Sequence, residues 1–332
     1  MKTDLVKGFR DVVGDKASKR AFIMEIIKQR FSKYNYDQIE TPIIEYEEFV
    51  RGENPNDEAI SDIFKLKDKG NRKLALRYEF TFQLKRIAKN KKLPYKRFQI
   101  GPVFRDEPVS ANRLRQFTQC DIDILGSSIK DEAEILIIVN EILTKLKIKS
   151  KICVNNRKIL NEIMEELKIK NKEQVLREID KLDKIPLKVI KENLKKLNAL
   201  EFLEIIKQKE EFFEKYKSYS EIKELKEYCK FYGIEIIFTP NLVRGLSYYN
   251  GSIFEIKSNI RETICAGGSY FINGNQSTGI SLGVERLEAV SKIIVEENKI
   301  LIVSLNQDNK AIKLAQKLRK NNFNAIKFTI FF

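Results

Sequence analysis

The 332-residue chain contains no histidine and no tryptophan. The first absence removes the commonest general base and the commonest metal ligand. Chemistry here must therefore run on carboxylates, arginines and tyrosines, on metal ions brought in with a ligand, or on positioning alone. Cysteine is scarce: Cys120, Cys153, Cys229 and Cys265 are widely spaced and form no CxxC. That pattern disfavours a zinc site and fits a reducing compartment. No apolar run approaches membrane-spanning length, and the opening stretch MKTDLVKGFRDVVGDK lacks a signal-peptide core. A cytoplasmic protein without a membrane partner is expected. Glycine is missing from 127 to 232, where Pro186 is the single proline.

What the chain has in excess is positive charge. Sixty-two basic residues against 47 acidic ones give a net charge of +15. This favours a polyanionic partner, a nucleic acid or a nucleotide phosphate. A Lys- and Ile-rich composition without a partner explains it equally well. Hydrophobic residues make up 42%, enough for a core, and the length permits two or three domains.

The spacing of Ile23, Ile26, Ile27 and Phe31 predicts a helix over 16–33. YDQIETPIIEYEEF reads as extended, and DIFKLKDKGNRKLALRYEF as two strands joined at DKGN. PYKRFQIGPVFRDEP and RQFTQCDIDILG read as two further strands around a polar loop, VSANRL. Asp131 is placed to cap a helix through EAEILIIVNEILTKL. The glycine-free stretch reads as helical from about 157 to 230, with a solvated charged surface. Strands return in IEIIFTPNLV, YYNGSIFEIK, ETICAGGSY and GISLGVERL, the last running into a helix. KILIVSL, a helix through Ala311, Leu314, Ala315 and Leu318, and NAIKFTIFF form one βαβ unit.

Several segments can carry chemistry. Arg105 and Glu107 alternate on one predicted strand and share a side, as do Arg113 and Arg115 if the next strand has begun there. Guanidiniums match triphosphate oxygens, and Glu107 can hold magnesium or a nucleotide amino group. A salt-bridged sheet surface is an equal reading of the same spacing. Glu79 and Thr81 near a strand end can anchor an ammonium group, or Thr81 can cap a helix. Gln119, Asp121 and Asp123 share a strand face, either a small polar pocket or the wet side of a sheet. Gly267 and Gly268 permit close backbone approach to a ligand, or a turn. Arg286 stands near a helix start after Gly283. Arg244 places a fixed charge in LVRGLSYYNGSIFEI, beside Tyr248 and Tyr249.

Taken in order, these segments resemble the histidyl-tRNA synthetases, a class II aminoacyl-tRNA synthetase family. FRDEPVSANRLRQF resembles motif 2 of that class, GISLGVERL motif 3, and the helix at 16–33 with ETPIIEY the dimer-forming motif 1. LVRGLSYYNGSIFE and CAGGSY resemble the two histidine-specific motifs, and RYEFT and QCDIDI the amino-acid pocket. The resemblance covers about residues 1–330 and is loosest in the helical part. It implies an α+β fold, a class II synthetase-type antiparallel sheet flanked by helices. Catalytic halves are expected at 1–156 and 233–297, a helical insertion at 157–232, and a partial α/β unit at 298–332. The implied reaction activates L-histidine with ATP and transfers it to tRNA(His), in a homodimer, with Mg2+ carried on ATP and no protein metal site.

By the same resemblance Arg105 and Arg244 are the catalytic residues at the α-phosphate, and Arg244 also meets the substrate carboxylate. Arg105, Glu107, Arg113 and Arg286 bind ATP. Glu79, Thr81, Gln119, Asp123, Tyr248, Tyr249 and Tyr270 bind histidine, the last two at the imidazole. Five departures bear on tuning of the pocket and on tRNA. Ser247 stands where the family usually has Asp, and Ser269 and Phe271 replace a basic and an acidic residue of GGRYD. Thr118 stands where bacterial members often carry histidine, and the terminal unit matches only the first βαβ of an anticodon-binding domain. The alternative is the synthetase-like regulatory subunit of ATP phosphoribosyltransferase, which binds histidine without charging tRNA and lacks that domain. It generally degrades the arginine-bearing motif, which is intact here. A folded, inactive fragment or decayed copy is the third reading.

Overall fold

The structure, a computed structural model, describes residues 3–52, 62–110, 113–244, 248–295, 299–321 and 323–329. The chain divides into two units, Met1–Lys292 and Ile293–Phe332.

The first unit opens with helix α1 (Gly14–Lys33), whose buried face is the predicted Ile23, Ile26, Ile27 and Phe31. Strands β1 (Asp37–Gln38) and β2 (Ile44–Tyr46) and helix α2 (Glu47–Arg51) follow. Then β3 (Lys65–Lys67) and β4 (Lys73–Leu76) form the predicted hairpin. Its turn is held by the Asp68 carboxylate, which accepts from the N–H groups of Gly70 (3.0 Å) and Arg72 (2.9 Å). After helix α3 (Leu84–Ile87) come the two longest strands, β5 (Tyr95–Phe104) and β6 (Gln116–Leu125). Helix α4 (Ile129–Lys145) and strand β7 (Lys151–Asn156) lead into five helices, α5 (Arg157–Glu166), α6 (Lys172–Ile179), α7 (Leu187–Lys196), α8 (Leu200–Ile205) and α9 (Tyr219–Phe231). Strands β8 (Ile237–Phe238), β9 (Tyr249–Lys257), β10 (Cys265–Ile272) and β11 (Asn275–Gly283) and helix α10 (Val284–Val290) complete the unit.

Eight of these strands form one sheet in the order β1-β5-β6-β11-β10-β9-β7-β8, antiparallel except for the parallel pairs β1–β5 and β7–β8 at its two edges. β2, β4 and β3 make a separate three-stranded sheet. Strand alternation gives the large sheet two unlike faces. Phe98, Ile122 and Ile280 are in register on one of them, and Phe31 of α1 packs on Phe98 with ring centroids 5.3 Å apart. Helix α4 buries Ile135, Leu136, Ile138, Val139 and Ile142. Each such side chain contributes about 1.5–3 kcal/mol on full burial. The opposite face carries the polar series Gln119, Asp121 and Asp123, and the cavity forms there.

Two local expectations differ. The α4 cap is Ser128; Asp131 is its third residue and completes a capping box by accepting from the Ser128 N–H (2.7 Å). IEIIFTPNLV yields only the two-residue β8, because Pro240 has no N–H to continue a ladder. Its carbonyl and that of Leu242 instead accept from the Asn155 side chain, each at 2.9 Å. The β10–β11 hairpin turns at Asn273-Gly274, both at positive φ (49° and 78°), the Asn-Gly pair that two-residue turns favour.

In the second unit β12 (Lys299–Ser304) and β13 (Asn324–Thr329) are parallel and joined through α11 (Asp308–Lys320). Ile302, Ala311 and Ala315 form its small core. Among the described residues no helix is long and apolar enough to cross a membrane.

Candidate active site

A cavity, partly open to solvent, lies on the polar face of the large sheet. All twelve residues singled out for ATP or histidine line it: Glu79 and Thr81 after β4; Arg105, Glu107 and Arg113 between β5 and β6; Gln119 and Asp123 on β6; Arg244, Tyr248 and Tyr249 at the start of β9; Tyr270 on β10; and Arg286 in α10. Ser247, with Gly245 and Leu246 beside it, lies outside the described residues, as do Ala111 and Asn112 of the polar loop.

One end of the cavity is cationic. Arg105 Nε donates to the Tyr78 carbonyl (3.1 Å), its Nη2 donates to Gln119 Oε1 (3.1 Å), and its guanidinium lies 5.2 Å from the Phe117 ring centroid. Arg113 forms a short ion pair with Glu107. Arg244 pairs with Glu255 at 2.8 Å, and the Thr263 hydroxyl donates to the second oxygen of Glu255 (3.2 Å). Arg286 donates to the Thr263 carbonyl (2.7 Å), so one loop residue ties the Arg244 and Arg286 arms together. Burial, then repulsion from Arg105, Arg113 and Arg244, lowers the Arg286 pKa against the opposing pull of Glu262. Four guanidiniums converging this way outnumber the two carboxylates paired with them, Glu107 and Glu255, and the excess positive charge suits a polyphosphate.

The other end is aromatic and acidic. The rings of Tyr248 and Tyr249 lie 4.7 Å apart, and those of Tyr248 and Tyr270 5.7 Å in a T-shaped pair. Tyr248 Oη donates to Glu79 (3.4 Å), and Tyr270 Oη donates to Asp123 in a short hydrogen bond. Asp123 also pairs with Arg97 at 2.6 Å, both side chains almost wholly buried. Burial raises the Asp123 pKa while Arg97 and the Tyr270 hydroxyl lower it. Gly279 makes room for this carboxylate: a Cβ there would stand 2.1 Å from Asp123 Oδ1.

Several local readings need correction even where the residues reach the cavity. β5 ends at Phe104, so Arg105 and Glu107 belong to the turn that follows rather than to a strand. Arg113 and Arg115 precede β6, which begins at Gln116, so strand alternation does not govern them: Arg113 pairs with the Glu107 carboxylate, and Arg115 pairs with Asp106 at 2.9 Å and donates to the Glu107 carbonyl at 3.2 Å. Thr81 neither ends a strand nor caps α3, which begins after Gln83 without a side-chain cap. Gly268 is required by its own sheet, because a Cβ would meet the Ser252 carbonyl at 2.4 Å and the Tyr249 ring at 2.8 Å. Ser269 points to the helical face and donates to Glu132 of α4, away from the cavity, and Phe271 is exposed. Thr118 accepts a hydrogen bond from Arg20 of α1 (2.5 Å), and its N–H donates to both oxygens of Glu285 at 3.0 Å.

Sequence reasoning missed Arg97, Glu255 and Thr263. Arg97 had a readable signal, a basic residue in the alternation of β5 directly opposite Asp123 in register. Glu255 and Thr263 had none, because their contact with the arginines depends on how a connection folds over β9.

An antiparallel sheet backed by helices, with arginines gathered over its polar face, defines a class II synthetase-type fold. The family model described as "Histidyl-tRNA synthetase" matches residues 8–287. A relative from Bacillus cereus named "Histidine--tRNA ligase 1" is 31% identical over an alignment covering 95% of this chain and 83% of the relative. The crystal structure of histidyl-tRNA synthetase from Nostoc superposes with TM-score 0.83, at 21% identity, covering 100% of this chain and 87% of that one. A Bacillus halodurans structure titled as an ATP phosphoribosyltransferase regulatory subunit/histidyl-tRNA synthetase also gives 0.83, at 21% identity over 99% and 93% of the two chains. The chain belongs to the histidyl-tRNA synthetase family.

Proposed function

We propose that the chain activates L-histidine with ATP and transfers the histidyl group to tRNA(His). The observation that carries this reading is the single cavity in which Arg105, Arg113, Arg244 and Arg286 adjoin Glu79, Gln119, Asp123 and three tyrosines. A histidine carboxylate oxygen attacks the α-phosphorus; that P–O bond forms as the bond to pyrophosphate breaks. Negative charge gathers on phosphate oxygens, where Arg105 and Arg244 supply fixed donors without solvent reorganisation. Glu107 holds Arg113 at the phosphate end. The attacking carboxylate is already ionised near neutral pH, so a chain without histidine needs no protein base for this step. A ribose hydroxyl of tRNA then takes the acyl group and AMP departs.

Among the described residues no cluster of three cysteines, aspartates or glutamates could hold a metal ion. Magnesium arrives on the nucleotide, where it neutralises phosphate charge. At the amino-acid end, Tyr249 and Tyr270 meet the imidazole, and Glu79, Thr81, Gln119 and Asp123 meet the ammonium group and nearby atoms. Such a polar pocket rejects apolar amino acids strongly, because they leave its groups unpaired. Exposure of Phe22 (43%), Ile43 (41%) and Ile44 (50%) on the motif 1 segment supports a homodimer interface there.

The test is ATP–pyrophosphate exchange with each amino acid in turn. Exchange with histidine alone is expected. A folded chain that binds histidine, exchanges nothing and associates with an ATP phosphoribosyltransferase would select the regulatory reading instead.

A further inference from the structure

Asp121 lies at the middle of β6, between two residues assigned to histidine, yet none of the roles above uses it. Its side chain is almost wholly buried and reaches the cavity floor. Oδ1 accepts from the Ser281 hydroxyl (2.5 Å) and from Gln119 Nε2 (3.0 Å), and the same Nε2 donates to Ser281 Oγ (3.0 Å). At the other end of that amide, Gln119 Oε1 accepts from Arg105 Nη2 (3.1 Å). A guanidinium can only donate, and an ionised carboxylate can only accept. Gln119 therefore has one satisfied orientation, set by Asp121 on one side and Arg105 on the other.

We propose that Asp121 is a positioning residue whose carboxylate locks the Gln119 amide, so that Gln119 Oε1 holds the Arg105 guanidinium toward an anionic ligand. The inference rests on the reading that this ligand is a nucleotide phosphate. Charged and polar groups face Asp121 from each neighbouring strand. They are Arg97 and Gln99 on β5, Asp123 on β6 and Ser281 on β11, with Arg77 reaching over Gly101. Burial raises the Asp121 pKa to about 6, Arg97 lowers it and Asp123 raises it again. A protonated Asp121 donates as well as accepts, so the lock loosens below that pH. Asparagine at this position loosens it at every pH.

The experiment measures ATP affinity by calorimetry for the whole 332-residue chain as wild type, Asp121→Asn, Gln119→Ala and the double variant. Asp121→Asn is expected to weaken ATP about tenfold, the scale of one charge-assisted hydrogen bond, and to add nothing in the Gln119→Ala background. The wild-type to Gln119→Ala affinity ratio, in which titration of the nucleotide cancels, is expected to shrink as pH falls through about 6. That arm needs no Asp121 variant and serves if Asp121→Asn is unstable. Additive losses in the double variant, unchanged ATP affinity in Asp121→Asn, or a ratio flat from pH 5 to 8 would each overturn the proposal. ATP binding without histidine-dependent exchange refutes the ligase reading and leaves the lock intact. Exchange with an additive double variant does the reverse, and a wild type that binds no ATP overturns both.

Discussion

Arg244→Ala is predicted to separate catalysis from folding. The Arg244 side chain is 24% exposed and stands 2.8 Å from Glu255. Without the arginine, Glu255 keeps the Thr263 hydroxyl at 3.2 Å and Lys257 Nζ at 3.9 Å, so its charge is not stranded. The stability loss therefore falls below the 3–5 kcal/mol typical of breaking a buried pair, at about 1–2 kcal/mol. For a unit of this size that is a melting shift of about 2–3 °C. The catalytic loss should be larger. Removing one preorganised donor to a developing oxyanion typically costs about 2.7–4 kcal/mol, or 10²- to 10³-fold in rate. Arg105 and Arg286 remain to hold the nucleotide, so the loss belongs in kcat more than in KM for ATP. Arg244→Lys keeps the charge without the planar fork and should fall between. Pyrophosphate exchange gives the rate, and a thermal melt gives the stability. An alanine variant that folds and exchanges within about threefold of wild type, under 1 kcal/mol of barrier, would remove Arg244 from the mechanism.

Asp123→Asn leaves the fully buried Arg97 guanidinium without its carboxylate 2.6 Å away and should cost about 3 kcal/mol; a urea midpoint that barely moves would contradict this. Burial raises the Glu132 pKa from 4.5 to about 7, against the lowering effect of the Ser252 and Ser269 hydroxyls. The folded state thus holds this proton more tightly than the unfolded state, and Glu132 costs stability as pH rises from about 4.5 through 7. Glu132→Gln should gain on the wild type across that window, and a constant difference between the two denaturation curves would refute it. Two copies of 38.9 kDa give 77.8 kDa, the mass light scattering should report for the proposed dimer; a concentration-independent 38.9 kDa would exclude it. With a net charge of +15, the logarithm of tRNA affinity should fall linearly with log salt through counterion release. Binding unmoved by salt would show that the basic excess makes no phosphate contacts.

The sequence was most legible where periodicity and turn chemistry are local. The α1 face, the β3–β4 hairpin and the alternation of Gln119, Asp121 and Asp123 are all set by spacing within a few residues. It was least legible where a strand stops. Nothing in FRDEP says that β5 ends at Phe104, where the N–H is taken by the carbonyl of Arg77, a distant residue just after β4. The fate of Ser269 was likewise hidden, because a serine in CAGGSY carries no mark of which face it occupies until β10 is paired with β9 and β11.

The chain by itself determined which side chains could do chemistry, since the absence of histidine leaves arginines, carboxylates and tyrosines, and their order in sequence places them in a known family. Only the folded arrangement decided which of them share a space. Arg105 and Arg244 are 139 positions apart (244 − 105), and whether two such guanidiniums meet at one anion depends on strand pairing between distant segments, which no local pattern encodes.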